Sequence, residues 1–244
     1  MELNVQFMIR TFLLALRAIP VTMEITLVAL AFAVPVGFFM AISRIYNVKL
    51  LRQFVTLYVS FVRGTPIVLQ ILIIYSLLPS LLNAFVKQMG LGINVFDINP
   101  ILYAFVVFAL NTTAGLSEIF RSALLTVERG QLEAALAVGL SPAQAYIRII
   151  IPQALVSALP NICNLTINLI KSTSLAFIMT VRDITAVAKI AASYGYNYIE
   201  AYLDIFVMYI IICGVCQWLF TLVENHLGTY KGLNRFPRRA AGRG

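Results

Sequence analysis

Residues 127–151 read VERGQLEAALAVGLSPAQAYIRIII, and their reading sets the architecture of the whole chain. The first half is rich in Glu, Gln, Leu and Ala, all strong helix formers. Gly139 then supplies a stop, Ser141 an N-cap and Pro142 a first-turn residue, so a second helix starts almost at once. Neither piece is an uninterrupted apolar run of the ~20 residues a helix needs to cross a bilayer. The runs on both sides are. Residues 127–151 therefore read as two short helices outside the bilayer, set between two spans.

Working outward, residues 100–126 precede this segment and 154–180 follow it, each long and apolar enough to span. Residues 19–43, 54–85 and 198–223 complete a set of five expected spans. The 54–85 run is interrupted by Gly64-Thr65-Pro66, and the 100–126 run turns polar in its second half. Residues 1–18, with Arg10 and Arg17, form a weaker, partly amphipathic segment expected at the outer surface or interface. The stretch after Arg17 is longer than a signal-peptide core and has no small-residue cleavage site after it, so the first span is expected to be retained. Residues 224–244 form a basic tail, expected to be disordered from 234 and to touch anionic lipid. The expected fold is all-α and polytopic, with the membrane domain at 19–223.

Composition agrees. The chain of 244 residues is 61% hydrophobic and 11% charged, against about 25% charged in soluble domains. A net charge of +8 would point to nucleic acid in a soluble protein, but here the basic residues lie between apolar runs and in the tail. Eleven of them fall on the side formed by residues 44–53, 121–151 and the tail, and five on the other. The positive-inside rule places the first side in the cytoplasm, with the N-terminus outside and the C-terminus inside.

Polar residues inside the spans are costly and mark cavities or partners. Asn111, Gly115, Glu118 and Ser122 fall on one face of the third span, and Asn161, Asn164, Asn168 and Lys171 on one face of the fourth. Two such stripes point to a wet path between the helices; interhelical hydrogen bonding is the structural alternative. Pro66 removes a backbone donor and bends the second span, so Arg63, Gly64, Thr65, Pro66 and Gln70 form either a gate or a plain kink. Cys163, Cys213 and Cys216 lie in apolar runs with no His or acidic cluster beside them, and read as packing. His226 reads as a surface residue with no metal role. No phosphate-binding loop, nucleophile elbow or metal-ligand cluster appears. No catalytic residue, metal or resident cofactor is expected, and without a phosphate-binding loop the chain is not expected to hydrolyse ATP.

Four stretches resemble one family. Glu133-Ala134-Ala135, Gly139 and Ile149-Ile150-Ile151-Pro152 resemble the "EAA" signature of permeases from ATP-binding-cassette importers, with Ile151 where Leu is usual. Tyr58–Pro66 with Gln70 resembles the "FRGTP…Q" segment of polar amino-acid permeases. Asn111–Arg121 resembles their "N…E-I-x-R" stretch, with Gly115 where an aromatic is common nearby. Leu169–Leu175 resembles their "LLKDTSL", with Ser172 in place of Asp. The chain is thereby identified as a member of the histidine/glutamine/arginine/cystine-type permeases.

The resemblance implies a bacterial inner-membrane subunit that forms a pore with a second permease chain, identical or homologous. It also implies two ATPase subunits inside and a solute-binding protein outside. Glu133, Ala134, Ala135, Gly139 and Pro152 would then belong to a coupling helix that docks on the ATPase. For an amino-acid substrate, Glu118 is the expected partner of the ammonium, and Lys171, Thr173 and Ser174 of the carboxylate, with Ser172 beside them. Pro152–Leu155, Leu175–Phe177 and Ile199–Leu203 resemble cystine permeases, so L-cystine is the expected substrate. Glutamine, arginine or histidine on the same machinery is the alternative. An ion-gradient transporter or a non-transporting scaffold stands further off.

Overall fold

The computed structural model describes residues 3–92 and 94–230, and every regular element among them is helical. The helices are α1 (Val5–Leu16), α2 (Ile19–Ile45), α3 (Lys49–Gly64), α4 (Ile67–Gln88), α5 (Pro100–Leu125), α6 (Arg129–Ala137), α7 (Pro142–Ala145), α8 (Ile151–Thr173), α9 (Ile184–Ser193) and α10 (Tyr198–Tyr230). Five apolar helical runs are long enough to cross a membrane: Val5–Ile45, Ile67–Gln88, Pro100–Leu125, Pro142–Met179 and Tyr198–Leu227. The protein is a polytopic all-α membrane protein.

Local chemistry fixes the helix starts. Asn99 accepts from the Ile101 amide and Pro100 occupies the first turn of α5. Asp183 caps α9 by accepting from the Ala186 and Thr185 amides. Burial pushes its carboxyl up to about 6, against the pull of those amides. Ser141 and Gln144 form a reciprocal capping box on α7.

The central pair is α2 against α5. Ala29, Ala33, Gly37 and Ala41 repeat every fourth residue on α2, and all are buried. Such a small-residue stripe lets two backbones approach closely. A Cβ added at Gly37 would sit 3.1 Å from both Leu116 Cβ and the Ser117 amide nitrogen. Gly37→Leu is therefore expected to push α2 off α5, cost about 2–3 kcal/mol, and lower the folded fraction in a detergent thermal-shift assay. Gly37→Ala should be much milder. Above this crossing, Ile25, Ile71, Val107 and Phe108 form the largest buried cluster. Below it, Ala123, Leu124, Ile150, Ala154 and Ala158 form another where α8 packs on α5.

Three expectations change. The expected second span, 54–85, is two helices. Pro66 has no N–H for the carbonyl of Val62, so α3 ends and α4 starts afresh. Only α4 is a span-length apolar run; α3 is amphipathic, burying Val55, Val59 and Val62 while Leu50, Phe54, Leu57 and Phe61 are exposed. The expected fourth span, 154–180, starts earlier, because α7 does not end as a separate helix. It runs on through a π-helical turn at Tyr146–Ile150 into α8. The wider turn sits just ahead of Pro152, where an α-helical ladder would lack a donor and clash. Finally, α1 is nearly continuous with α2 and packs on α9 and α10, where Ala15, Ala18, Ile184 and Met208 are buried together.

Along α10, Phe206, Ile210, Ile211, Val215, Trp218 and Leu219 are exposed, as are Leu69, Leu72, Ile73 and Leu77 on α4. In a bilayer such faces meet lipid or another chain. Residues 224–230 continue α10; the tail from 231, including the segment expected to be disordered, lies outside the described residues. Cys163 donates to Gln217 Oε1 at 3.4 Å, and all three cysteines are unbridged.

Candidate functional site

The two polar stripes meet. A cavity of about 470 Å³ lies between the end of α3, the middle of α5 and α8. From α3 and its end it takes Arg63 and Thr65, from α5 Asn111, Thr112, Gly115 and Glu118, and from α8 Asn161, Asn164, Asn168 and Ser172. Four of these are carboxamides, which offer both donors and acceptors. Asn161, Asn164 and Asn168 are exposed rather than packed against a neighbouring helix, so the α8 side of the cavity is open.

Glu118 is not free. Arg44, at the end of α2, donates to one carboxylate oxygen; Arg121, one turn along α5, donates to the other from Nε at 3.1 Å and from its terminal nitrogen at 2.9 Å. Exposures of 19% for Glu118 and 15% for Arg44 place this triad largely out of solvent. Both oxygens serve guanidinium groups, so the carboxylate expected to meet a substrate ammonium is already ion-paired. The triad carries net positive charge, and Arg63 adds more. Among the described residues lining the cavity, no carboxylate is left unpaired.

The break between α3 and α4 is sealed by one side chain. Gln70 Nε2 donates to the Val62 carbonyl at 2.8 Å and lies 3.1 and 2.9 Å from the Thr65 carbonyl and hydroxyl. The Thr65 hydroxyl itself donates to the Phe61 carbonyl at 2.9 Å. The carbonyls of Phe61, Val62 and Thr65 at the end of α3 thus each accept a side-chain hydrogen bond. Gln70 Oε1 accepts from Asn111 Nδ2 at 3.1 Å, which ties the break to the cavity wall.

Some expected site residues lie elsewhere. Ser122 does not line the cavity. Lys171 is exposed on the side of α8 near Cys213 of α10. Thr173 is fully buried and donates to the Ile170 carbonyl, and Ser174 begins a short 3-10 turn. Gly64 faces open space, Pro66 starts α4, and Gln70 stands behind the wall rather than in it. Sequence reasoning missed Thr112, whose signal was its place beside Asn111, and the partners of Glu118. Arg121 at i+3 was a local signal for one of them; Arg44 had none.

At the far end of the triad, Arg44 and Arg121 line a second cavity with Glu128, Arg129 and Glu133 of the 127–151 segment. There α6 ends in a Schellman motif: the Gly139 amide donates to Leu136 and the Leu140 amide to Ala135. Gly139 has φ +88, which suits glycine. Ala135 faces inward, while Glu133, Ala134 and Gly139 are exposed. Leu136 and Val138 are also exposed, at 42% and 78%. Pro152 lies in a separate groove with Glu128, Arg148 and Gln153.

Residues 33–229 match the family described as "Binding-protein-dependent transport system inner membrane component". The chain is 35% identical over 209 residues to an L-cystine transport system permease protein, TcyL, of Bacillus subtilis (strain 168), covering 86% of this chain and 85% of that one. It is 38% identical over 222 residues to a probable amino-acid permease protein, YxeN, of the same organism, covering 91% of each. Among solved structures, it resembles a chain in a crystal structure of an amino acid ABC transporter with histidines. The TM-score there is 0.77 at 27% identity, covering 93% of this chain and 100% of the other. The chain belongs to the family of binding-protein-dependent transport system inner membrane components, among its amino-acid ABC permeases.

Proposed function

We propose that this chain forms half of the translocation pathway of an ATP-driven amino-acid importer, and that its substrate is L-cystine. The observation that carries the pathway is the cavity where Arg63, the α5 stripe and the α8 stripe converge. Its α8 side is exposed and polar, which suits a second permease chain, identical or homologous, as the facing wall. ATP binding and hydrolysis, with magnesium, then fall to two separate ATPase subunits that dock on α6. A solute-binding protein delivers substrate from outside. The exposed Leu136, Val138 and Gly139 at the end of α6 are apolar or small, the kind of surface a partner cleft takes up. Orientation follows the basic residues, with α6 in the cytoplasm of a bacterial cell and the N-terminus outside.

Two features support cystine. Similarity to an L-cystine permease is one. The other is the charge of the cavity. Arg63 and the carboxamides suit a zwitterion, cystine and glutamine alike, over a cation such as arginine. With Glu118 held by two arginines, an extra cationic side chain meets no unpaired anion. Uptake of labelled cystine into vesicles holding the assembled transporter tests the reading. ATP-dependent accumulation supports it; ATP-dependent flux of glutamine, histidine or arginine alone keeps the machine and discards the substrate; flux indifferent to ATP overturns both.

Ser172→Asp places a carboxylate on the cavity wall. Cystine uptake is expected to fall about tenfold and competition by arginine to rise by a similar factor, as one charge at close range warrants. Unchanged discrimination between cystine and arginine would remove charge as the basis of selection.

A further inference from the structure

The geometry points to Gln70 as the residue through which occupancy of the cavity is read by the break between α3 and α4. It is a positioning residue: it stands behind the cavity wall and acts on it through Asn111. The inference rests on the pathway reading and goes beyond it.

One amide does two things at once. Its nitrogen holds the Val62 carbonyl, which Pro66 leaves without a helical donor, and the carbonyl of Thr65, the extended residue that ends α3. Its oxygen accepts a hydrogen bond from Asn111, which lines the cavity. The amide cannot be reversed, because its oxygen would then face two carbonyls. A substrate carboxylate entering the cavity is a stronger acceptor for Asn111 than a neutral amide oxygen. When Asn111 turns to it, Gln70 loses this hydrogen bond to α5 and the seal on the break slackens. Arg63, just ahead of the break, also lines the cavity, so a change in α3 moves a wall of the same space. Substrate at the wall thus alters the joint on which α3 and α4 pivot.

The test uses the whole transporter, reconstituted with its ATPase and binding protein, with labelled cystine as the probe and a glutamine, arginine and histidine panel beside it. Gln70→Leu is expected to lower kcat by about tenfold while KM changes by less than about threefold. Asn111→Ala leaves the donors that seal the break in place, and it should also lower kcat. In the double variant the loss should match that of the larger single change, because both act through one link. Losses that multiply, or a Gln70→Leu effect confined to KM, would overturn the inference.

Hydrogen exchange guards against a Gln70→Leu chain that fails to fold. In the unaltered transporter, cystine should speed amide exchange over residues 61–70, and in Asn111→Ala it should not. The same response in both also overturns the role of Gln70. Absence of any uptake by the unaltered transporter would instead remove the pathway reading, so the two failures are distinguishable.

Discussion

Gly139→Trp is expected to leave the protein folded and inserted while abolishing ATP-driven uptake, a fall of about a hundredfold or more if it breaks a docking contact of hot-spot size. Folding survives because of where the glycine lies. Its φ of +88 makes any side chain unfavourable, at about 1–2 kcal/mol. A Cβ there meets nothing within 4 Å in this chain, so a side chain at 139 starts into open space. The same open space is what a docked ATPase would fill. Gly139→Ala separates the two effects, since it carries the backbone cost without the bulk. Membrane abundance near normal for both, with uptake lost only for Trp, locates the partner surface at the end of α6. Equal losses for Ala and Trp would assign the effect to the Schellman turn. Normal uptake by the Trp variant would show that the partner docks elsewhere.

How far the fold could be read depended on how local its determinants are. The third span was legible nearly to the residue, because an Asn-Pro start and a long apolar run are local signals, and α5 runs Pro100–Leu125. The polar stripes were legible for the same reason: a period of 3.6 puts Asn111, Gly115 and Glu118 on one face whatever surrounds them. Lys171 shared that periodicity on α8 yet lies near α10, since spacing names a face but not its neighbour. Gly64-Thr65-Pro66 announced an interruption, but its result, two helices of different character sealed by Gln70, depended on a side chain that folds back across the break. The fusion of α7 into α8 was hidden because Ser141-Pro142 correctly marked a start, while a π-turn carried the chain past Pro152. The partners of Glu118 were the hardest to see. Arg44 is 74 residues away and approaches only because the small-residue stripe on α2 brings it against α5. A charge counted among cytoplasmic basic residues thereby became the ion-pair partner of a cavity-lining carboxylate.

That pairing sets the second large effect. Glu118→Gln is expected to sharply reduce the amount of folded protein in the membrane, and uptake with it. Glutamine has the shape of glutamate but not its charge, so Arg44 and Arg121 are left facing each other. Arg44 is only 15% exposed, and removing one member of a largely buried pair costs about 3 kcal/mol because the remaining charge is uncompensated. Arg121, at 35% exposed, can turn toward water, whereas Arg44 has less room. Removing the stranded charge as well should therefore help: the Glu118→Gln, Arg44→Gln double variant is expected to recover much of the lost abundance. A catalogue of single losses would not separate this from a direct role in substrate binding, but the double variant does. If Glu118 met the substrate ammonium, Glu118→Gln would raise KM at unchanged abundance and Arg44→Gln would restore nothing. Recovery of abundance by the second substitution, with KM for cystine close to that of the unaltered transporter, assigns Glu118 to holding α2 and α5 together at the cavity and leaves the carboxamides of α5 and α8 to meet the substrate.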